Sequence, residues 1–315
     1  RFGGEEFGVI LPDIAEDEAC VIANENNTEQ LTECWKDVLF NQFHDILGGA
    51  SIKEAYIDAR NLHGRAIQTA NEILHFNLQK ITSSIKMPGK NPDNIWNLVL
   101  WNLNCCEYDG YIEAEVQWAH EFDWYDGGIT LDDGNGEIIE TQIIAEHSAI
   151  PRFRTRFIFK AKVPSMGYRC FKVIQNGHKS ERKNADFRIE TDRFIYTISK
   201  KNGGICELFD KKTNSITAKE LLVPTCYEDT GDTWCFNIDA YGEKCGEFSV
   251  VGIERIECGD LLDKIKVSLR YNNSMLYLYY KFYKHEAYFD VDYTVNWNES
   301  HTVFKLNFRT QCDSL

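Results

Sequence analysis

The sequence predicts an α+β multidomain chain: a helical hairpin or bundle, followed by a large antiparallel β-sandwich region. Three observations carry this. Apolar residues recur with helical period between Asn27 and Lys86, Pro88-Gly89 and Asn91-Pro92 break that pattern, and alternation with period two dominates afterwards. The 315 residues, 43% apolar and 26% charged, exceed what one small core organises, so several domains are expected. The boundaries read as 1–26, 27–88, 93–180 and 185–315.

The first stretch opens on Arg1-Phe2-Gly3-Gly4-Glu5-Glu6, continues through Phe7-Gly8-Val9-Ile10-Leu11 and breaks at Pro12-Asp13, half a hairpin followed by a helix start. Gly3 and Gly4 lack a Cβ and let a backbone approach a ligand closely, while Glu5 and Glu6 could face a cation. From Asn27, a capped helix is expected to place Leu31, Cys34, Trp35, Val38, Leu39 and Phe43 on one apolar face and to end near Leu47-Gly48-Gly49. A second helix is expected to open on the capping box Ser51-x-x-Glu54 and to run to about Lys86. Its stripe includes Ile52, Ala55, Tyr56, Ala59, Leu62, Ala66, Ala70, Ile73 and Leu74, so the two helices should pack antiparallel.

Beyond the proline breaks, 111–116 and 156–163 alternate as half-buried strands do. Further strands are expected over 194–199, 276–283, 288–297 and 303–308, with Asn202-Gly203-Gly204 as a turn. Strands at this spacing usually form sandwiches.

Charge and cysteine content narrow the function. Lys plus Arg total 34 against 49 Asp plus Glu, a net charge of -15, which disfavours nucleic acid and anionic membranes and suits a neutral substrate. No apolar run reaches the roughly 18 residues of a spanning helix. Eleven cysteines, including the neighbours Cys105 and Cys106, show no C-x-x-C spacing and read as reduced thiols of a cytoplasmic protein.

The candidate chemistry lies in Asn41-Gln42-Phe43-His44-Asp45-Ile46-Leu47-Gly48-Gly49, where an imidazole and a carboxylate adjoin at a helix end. A neutral imidazole suits Zn²⁺, and the carboxylate suits a sugar hydroxyl; equally, His44 could meet free carbonyls and Asp45 cap the next turn. A second candidate is the loop 232–241, where Trp234, Asp239 and Tyr241 mix aromatic faces with a carboxylate, the usual means of gripping sugar rings. The alternative there is a polar loop packed on itself.

Two resemblances bear on these residues. RFGGEEFGVILPDIAEDEA resembles the signature turn of diguanylate cyclase (GGDEF) domains and stops near Ala23. The resemblance implies guanine-nucleotide contacts for Gly3 and Gly4, a metal contact for Glu5 and catalytic support from Glu6. The run WKDVLFNQFHDILGGASIKEAYIDA, together with NLVLWNLN, IPRFRTRFIFKAKVPSMGYRCFKV, FRIETDRFIYTISKKNGGICELFDKKTNSI, GDTWCFNIDAYGE and VDYTVNWNESHTVFKLNF, resembles glycoside hydrolase family 38, the α-mannosidases. This resemblance spans about Glu29 to Ser314 and implies a zinc-dependent retaining α-mannosidase acting on mannosides or mannose-containing oligosaccharides. Within it, His44 matches one of the four zinc ligands and Asp45 a residue that contacts the sugar.

Gly48 stands where many relatives have proline. The family's nucleophile-bearing domain is not recognised in the chain, so the expectation is an α-mannosidase fragment without turnover of its own. The competing expectations are a non-catalytic carbohydrate-binding or structural sandwich module and, more remotely, a cyclic-dinucleotide signalling protein.

Overall fold

The computed structural model describes residues 27–86, 95–118, 128–145, 153–176, 187–231 and 239–310. A helical segment precedes two regions of antiparallel sheet. That is the expected order of a helical middle part and a large β-sandwich part.

The helical segment comprises α1 (Asn27–Phe40), the single turn α2 (His44–Leu47) and α3 (Lys53–Ser84). The expected first helix does not run on to Leu47: it stops at Phe40, and His44 opens a separate turn. The expected capping box also fails to form. Ile52 occupies the position before α3, and no side chain bonds the free N–H groups there.

Antiparallel packing of α1 on α3 does form, with the expected stripe of α3 turned inward at Ala59 and Ala66 but α1 rotated, so that of its stripe only Cys34 and Val38 are partly buried. Inside the seam lie Asp37, Asn41, Ala59 and Ala66, whereas Leu31, Trp35, Leu39, Phe40 and Phe43 are exposed, Trp35 at 63%. The physical reason is close approach. Ala59 and Ala66, seven residues apart on α3, let the helices meet at short range, and Arg65 closes a two-pronged ion pair on Asp37, donating from Nε to Oδ2 at 2.7 Å. Asn41 Nδ2 adds a 3.4 Å bond to the Ala59 carbonyl. The seam keeps helical period at Cys34, Asp37, Val38 and Asn41, rotated from the apolar stripe.

The first sheet region contains β1 (Ile95–Asn102), β2 (Tyr108–Gln117), β3 (Gly128–Asp132), β4 (Ile138–Ile139), β5 (Thr141–Ile144), β6 (Arg154–Val163) and β7 (Gly167–Asn176). One sheet runs β1-β7-β3-β4 and the other β2-β6-β5. Leu98 and Leu100, Ile112 and Ala114, Phe157 and Phe159, and Phe171 and Val173 alternate into one core. On β6 the opposite face is buried as well: Ile158 joins Ile144, Leu261, Leu262 and Tyr283. That double burial explains the unbroken apolar run Phe157-Ile158-Phe159 within an otherwise alternating strand. Trp101 Nε1, on β1, donates to Thr82 Oγ1 at 3.0 Å and ties this region to the end of α3.

The second region contains β8 (Arg188–Glu190), β9 (Phe194–Ile198), β10 (Ile205–Asp210), β11 (Ser215–Glu228), β12 (Lys244–Glu247), β13 (Ser249–Cys258), β14 (Leu262–Tyr271), β15 (Ser274–Tyr283), β16 (Phe289–Asn296) and β17 (Thr302–Thr310). Its sheets run β12-β11-β10-β9-β8, with β17 also paired to β11, and β13-β14-β15-β16. Between them lies a core including Tyr196, Ile198, Val267, Leu269, Leu278, Tyr280 and Phe282. The expected turn at 202–204 is anchored in it. Gly203 has φ +72°, a Cβ there would lie 2.6 Å from Val267 Cγ1, and its carbonyl accepts a 2.9 Å bond from the Tyr280 hydroxyl.

Candidate functional site

The His44–Asp45 turn is built by local hydrogen bonds. The Phe43 backbone is extended, with φ -56° and ψ 136°, so its carbonyl accepts from both Ile46 N at 3.0 Å and Leu47 N at 3.1 Å. Gly48 N donates to His44 O at 2.9 Å, a bond proline could not make, and Gly49 turns the chain with φ +79°. Tyr56 of α3 holds the turn from behind: its hydroxyl donates to Asp45 O at 3.2 Å and accepts from Ser51 N at 3.1 Å.

This places the His44 side chain outward, 78% exposed, with Nε2 3.5 Å from Asp45 Oδ1 and its ring 4.3 Å from that of Phe43. One imidazole and one carboxylate therefore share an exposed turn with open sides. Among the described residues, no three His, Cys, Asp or Glu side chains gather into a metal-holding group.

Of the second candidate set, Asp239 and Tyr241 come together, whereas Trp234 lies outside the described residues, as do Gly3, Gly4, Glu5 and Glu6. Asp239 and Tyr241 line one open groove of about 530 Å³, with Tyr227, Gly242, Lys305 and Asn307. The loop is fastened to β11 by Gly242 N on Glu228 O at 2.9 Å and Glu228 N on Glu243 O at 3.0 Å. A Cβ at Gly242 would stand 2.9 Å from that of Glu228, so the loop can lie this close only with glycine there.

Tyr227, Lys305 and Asn307 were not singled out from sequence. In the run Phe304-Lys305-Leu306-Asn307, Phe304 and Leu306 pack against the core, leaving Lys305 and Asn307 on the outer face. That alternation was the available signal; their approach to Tyr227 depends on the pairing of β17 with β11, in which Tyr227 opposes Val303 and Thr225 opposes Lys305. Lys305 Nζ lies 4.3 Å from the Tyr241 ring centroid and 5.7 Å from that of Tyr227, an ammonium held between two aromatic faces. Asn307 Nδ2 donates to the Tyr227 hydroxyl at 2.8 Å.

Comparison with known proteins supplies the context for both places. Residues 15–81 match the alpha mannosidase middle domain, which includes the His44–Asp45 turn and begins inside the cyclase-like stretch. Residues 189–314 match the glycosyl hydrolases family 38 C-terminal domain, which includes the groove. No curated protein matches the chain. Two successive domains of one family cover well over half of the sequence, and the chain belongs to glycosyl hydrolase family 38 as a bearer of the α-mannosidase middle and C-terminal domains.

Proposed function

We propose that the chain serves zinc-dependent, retaining hydrolysis of α-mannosides, with His44 as one zinc ligand and Asp45 as a contact to mannose hydroxyls. The observation that supports this most is the exposed His44–Asp45 pair on a braced turn inside the middle-domain match. The donor types suit zinc, which takes imidazole nitrogen and carboxylate oxygen, and the open sides of the turn leave room for further ligands. When bound, the metal would supply positive charge that orients sugar hydroxyls. Tyr56 fixes the turn through Asp45 O and so sets where the imidazole and carboxylate stand.

Retaining hydrolysis further needs a nucleophilic carboxylate and an acid/base carboxyl about 5 Å apart. Asp45 in the proposed role touches sugar and does not attack it. The 315-residue chain should therefore bind mannosides without turning them over. We also infer a cytoplasmic setting, for which the eight unpaired cysteines among the described residues speak.

The test is an aryl α-mannoside assay with added Zn²⁺, first on the chain and then on a fusion carrying a family catalytic domain ahead of Glu29. No turnover is expected from the chain, and zinc-dependent turnover is expected from the fusion. In the fusion, Asp45→Ala should impair hydrolysis more than Asp239→Ala. Turnover by the chain alone would refute its inactivity, and an unimpaired His44→Ala fusion would remove His44 from the metal.

A second reading, carbohydrate binding without catalysis, is favoured by the groove around Tyr241 and Lys305.

A further inference from the structure

We infer that the groove beside β17 is a metal-independent binding site for a neutral hexopyranoside, with Lys305, Asn307 and Tyr227 as its recognition core. The inference deepens the carbohydrate-binding reading above and does not depend on His44.

The groove holds groups of both signs that have no ionic partner among the described residues. Among the described residues, no carboxylate pairs with Lys305 and no cation pairs with Asp239, and the Lys305 ammonium lies over the two tyrosine rings. An ammonium between aromatic faces keeps its position while its N–H donors remain available. Asp239 offers acceptors only, and Asn307, with its NH₂ group on Tyr227, retains its carbonyl oxygen.

Accepting the Asn307 bond leaves the Tyr227 hydroxyl proton free to donate. Donors (Lys305 and the Tyr227 hydroxyl) and acceptors (Asp239 and the Asn307 carbonyl oxygen) thus line the same groove of about 530 Å³, in the range of small-ligand sites. A sugar's adjacent hydroxyls, each both donor and acceptor, can use both kinds of group. An anionic ligand would gain from Lys305 but meet Asp239 and a chain of net charge -15, so the neutral ring is preferred.

Titration of the 315-residue chain with methyl α-D-mannopyranoside and α-linked mannobiose, followed by calorimetry and ligand-observed NMR, tests this. Glucuronate serves as the anionic comparator. Binding should persist in EDTA and in His44→Ala, and should weaken at least about tenfold in Lys305→Met, which keeps the aliphatic stem and removes the charged donor. Tyr227→Phe, which removes one hydroxyl from an otherwise intact ring, should weaken it by a smaller factor; thermal melts unchanged in both variants keep the comparison valid. Three outcomes would overturn the inference: no mannoside binding, tighter binding of glucuronate, or binding abolished by EDTA or His44→Ala yet indifferent to Lys305→Met. The last would leave the α-mannosidase reading intact, and a fusion enzyme without mannosidase activity would fail that reading without touching the groove.

Discussion

The ring of Tyr111 stacks on that of Tyr283 with centroids 4.9 Å apart and planes 21° from parallel, joining β2 of the first sheet region to β15 of the second. Around this stack, Lys160 pairs with Glu286 at 2.6 Å, and the Gln142 side chain spans the junction. Gln142 Nε2 donates to Leu262 O at 2.8 Å while its Oε1 accepts from Leu261 N at 2.9 Å and Leu262 N at 2.7 Å. The two regions therefore meet through an apolar patch flanked by hydrogen bonds of Gln142 to the Leu261 and Leu262 backbone and by the Lys160–Glu286 ion pair.

Gln142→Ala should destabilise the protein by about 3 kcal/mol, because it strands buried backbone groups of Leu261 and Leu262 with no partner. Gly259→Ala should be damaging for a related reason: its Cβ would lie 2.2 Å from Gln142 Cδ. Urea unfolding measures both. Combining them should cost less than the sum, since the clash disappears with the longer side chain; simple additivity would disprove the shared cause.

On the helical hairpin, Trp35→Lys and Leu39→Lys should change stability by no more than about 0.5 kcal/mol, since both side chains are exposed. Ala66→Leu should cost about 1–3 kcal/mol by forcing α1 and α3 apart. Melting curves of the three variants decide it, and the reverse order would restore the apolar stripe to the seam.

Acid sensitivity should include a contribution from Asp210. The Arg193 side chain, bonded to it at 2.8 and 2.7 Å, holds its carboxyl down at about 2 against the ordinary 3.8. A depressed folded value means that the unfolded chain takes up the proton first, so this contribution is present above pH 4 and is lost as pH falls towards 2. Unfolding midpoints across that window should fall less steeply in Asp210→Asn than in the parent, and parallel slopes would exclude the pair as a source.

Thiol labelling should sort the described cysteines by burial. Cys226 is fully buried, and burial pushes its thiol up to about 12, so alkylation at pH 8 should spare it while Cys105 and Cys106, both exposed, react. Peptide mass spectrometry after brief iodoacetamide treatment reads the order; early modification of Cys226 would mean that the β11 region opens readily.

What the sequence determined by itself was whatever repeats locally. Alternation in 111–116 and 156–163 located β2 and β6, and the helical period located α1 and α3, because a side chain's face follows from its own backbone period. The string around His44 and Asp45 likewise pointed to the family before any fold was seen.

On α1, tertiary structure alone decided which face became the seam. Hydrophobicity favoured Leu31, Trp35 and Leu39, but small side chains at Ala59 and Ala66 and the Asp37–Arg65 pair set the contact instead. It also decided the groove. Asn307 and Tyr227 are 80 residues apart and meet because β17 pairs with β11, a register that no local pattern encodes. The same holds for Gln142, whose three bonds cross to a strand about 120 residues away, since only the docking of two sheet regions brings those groups within reach.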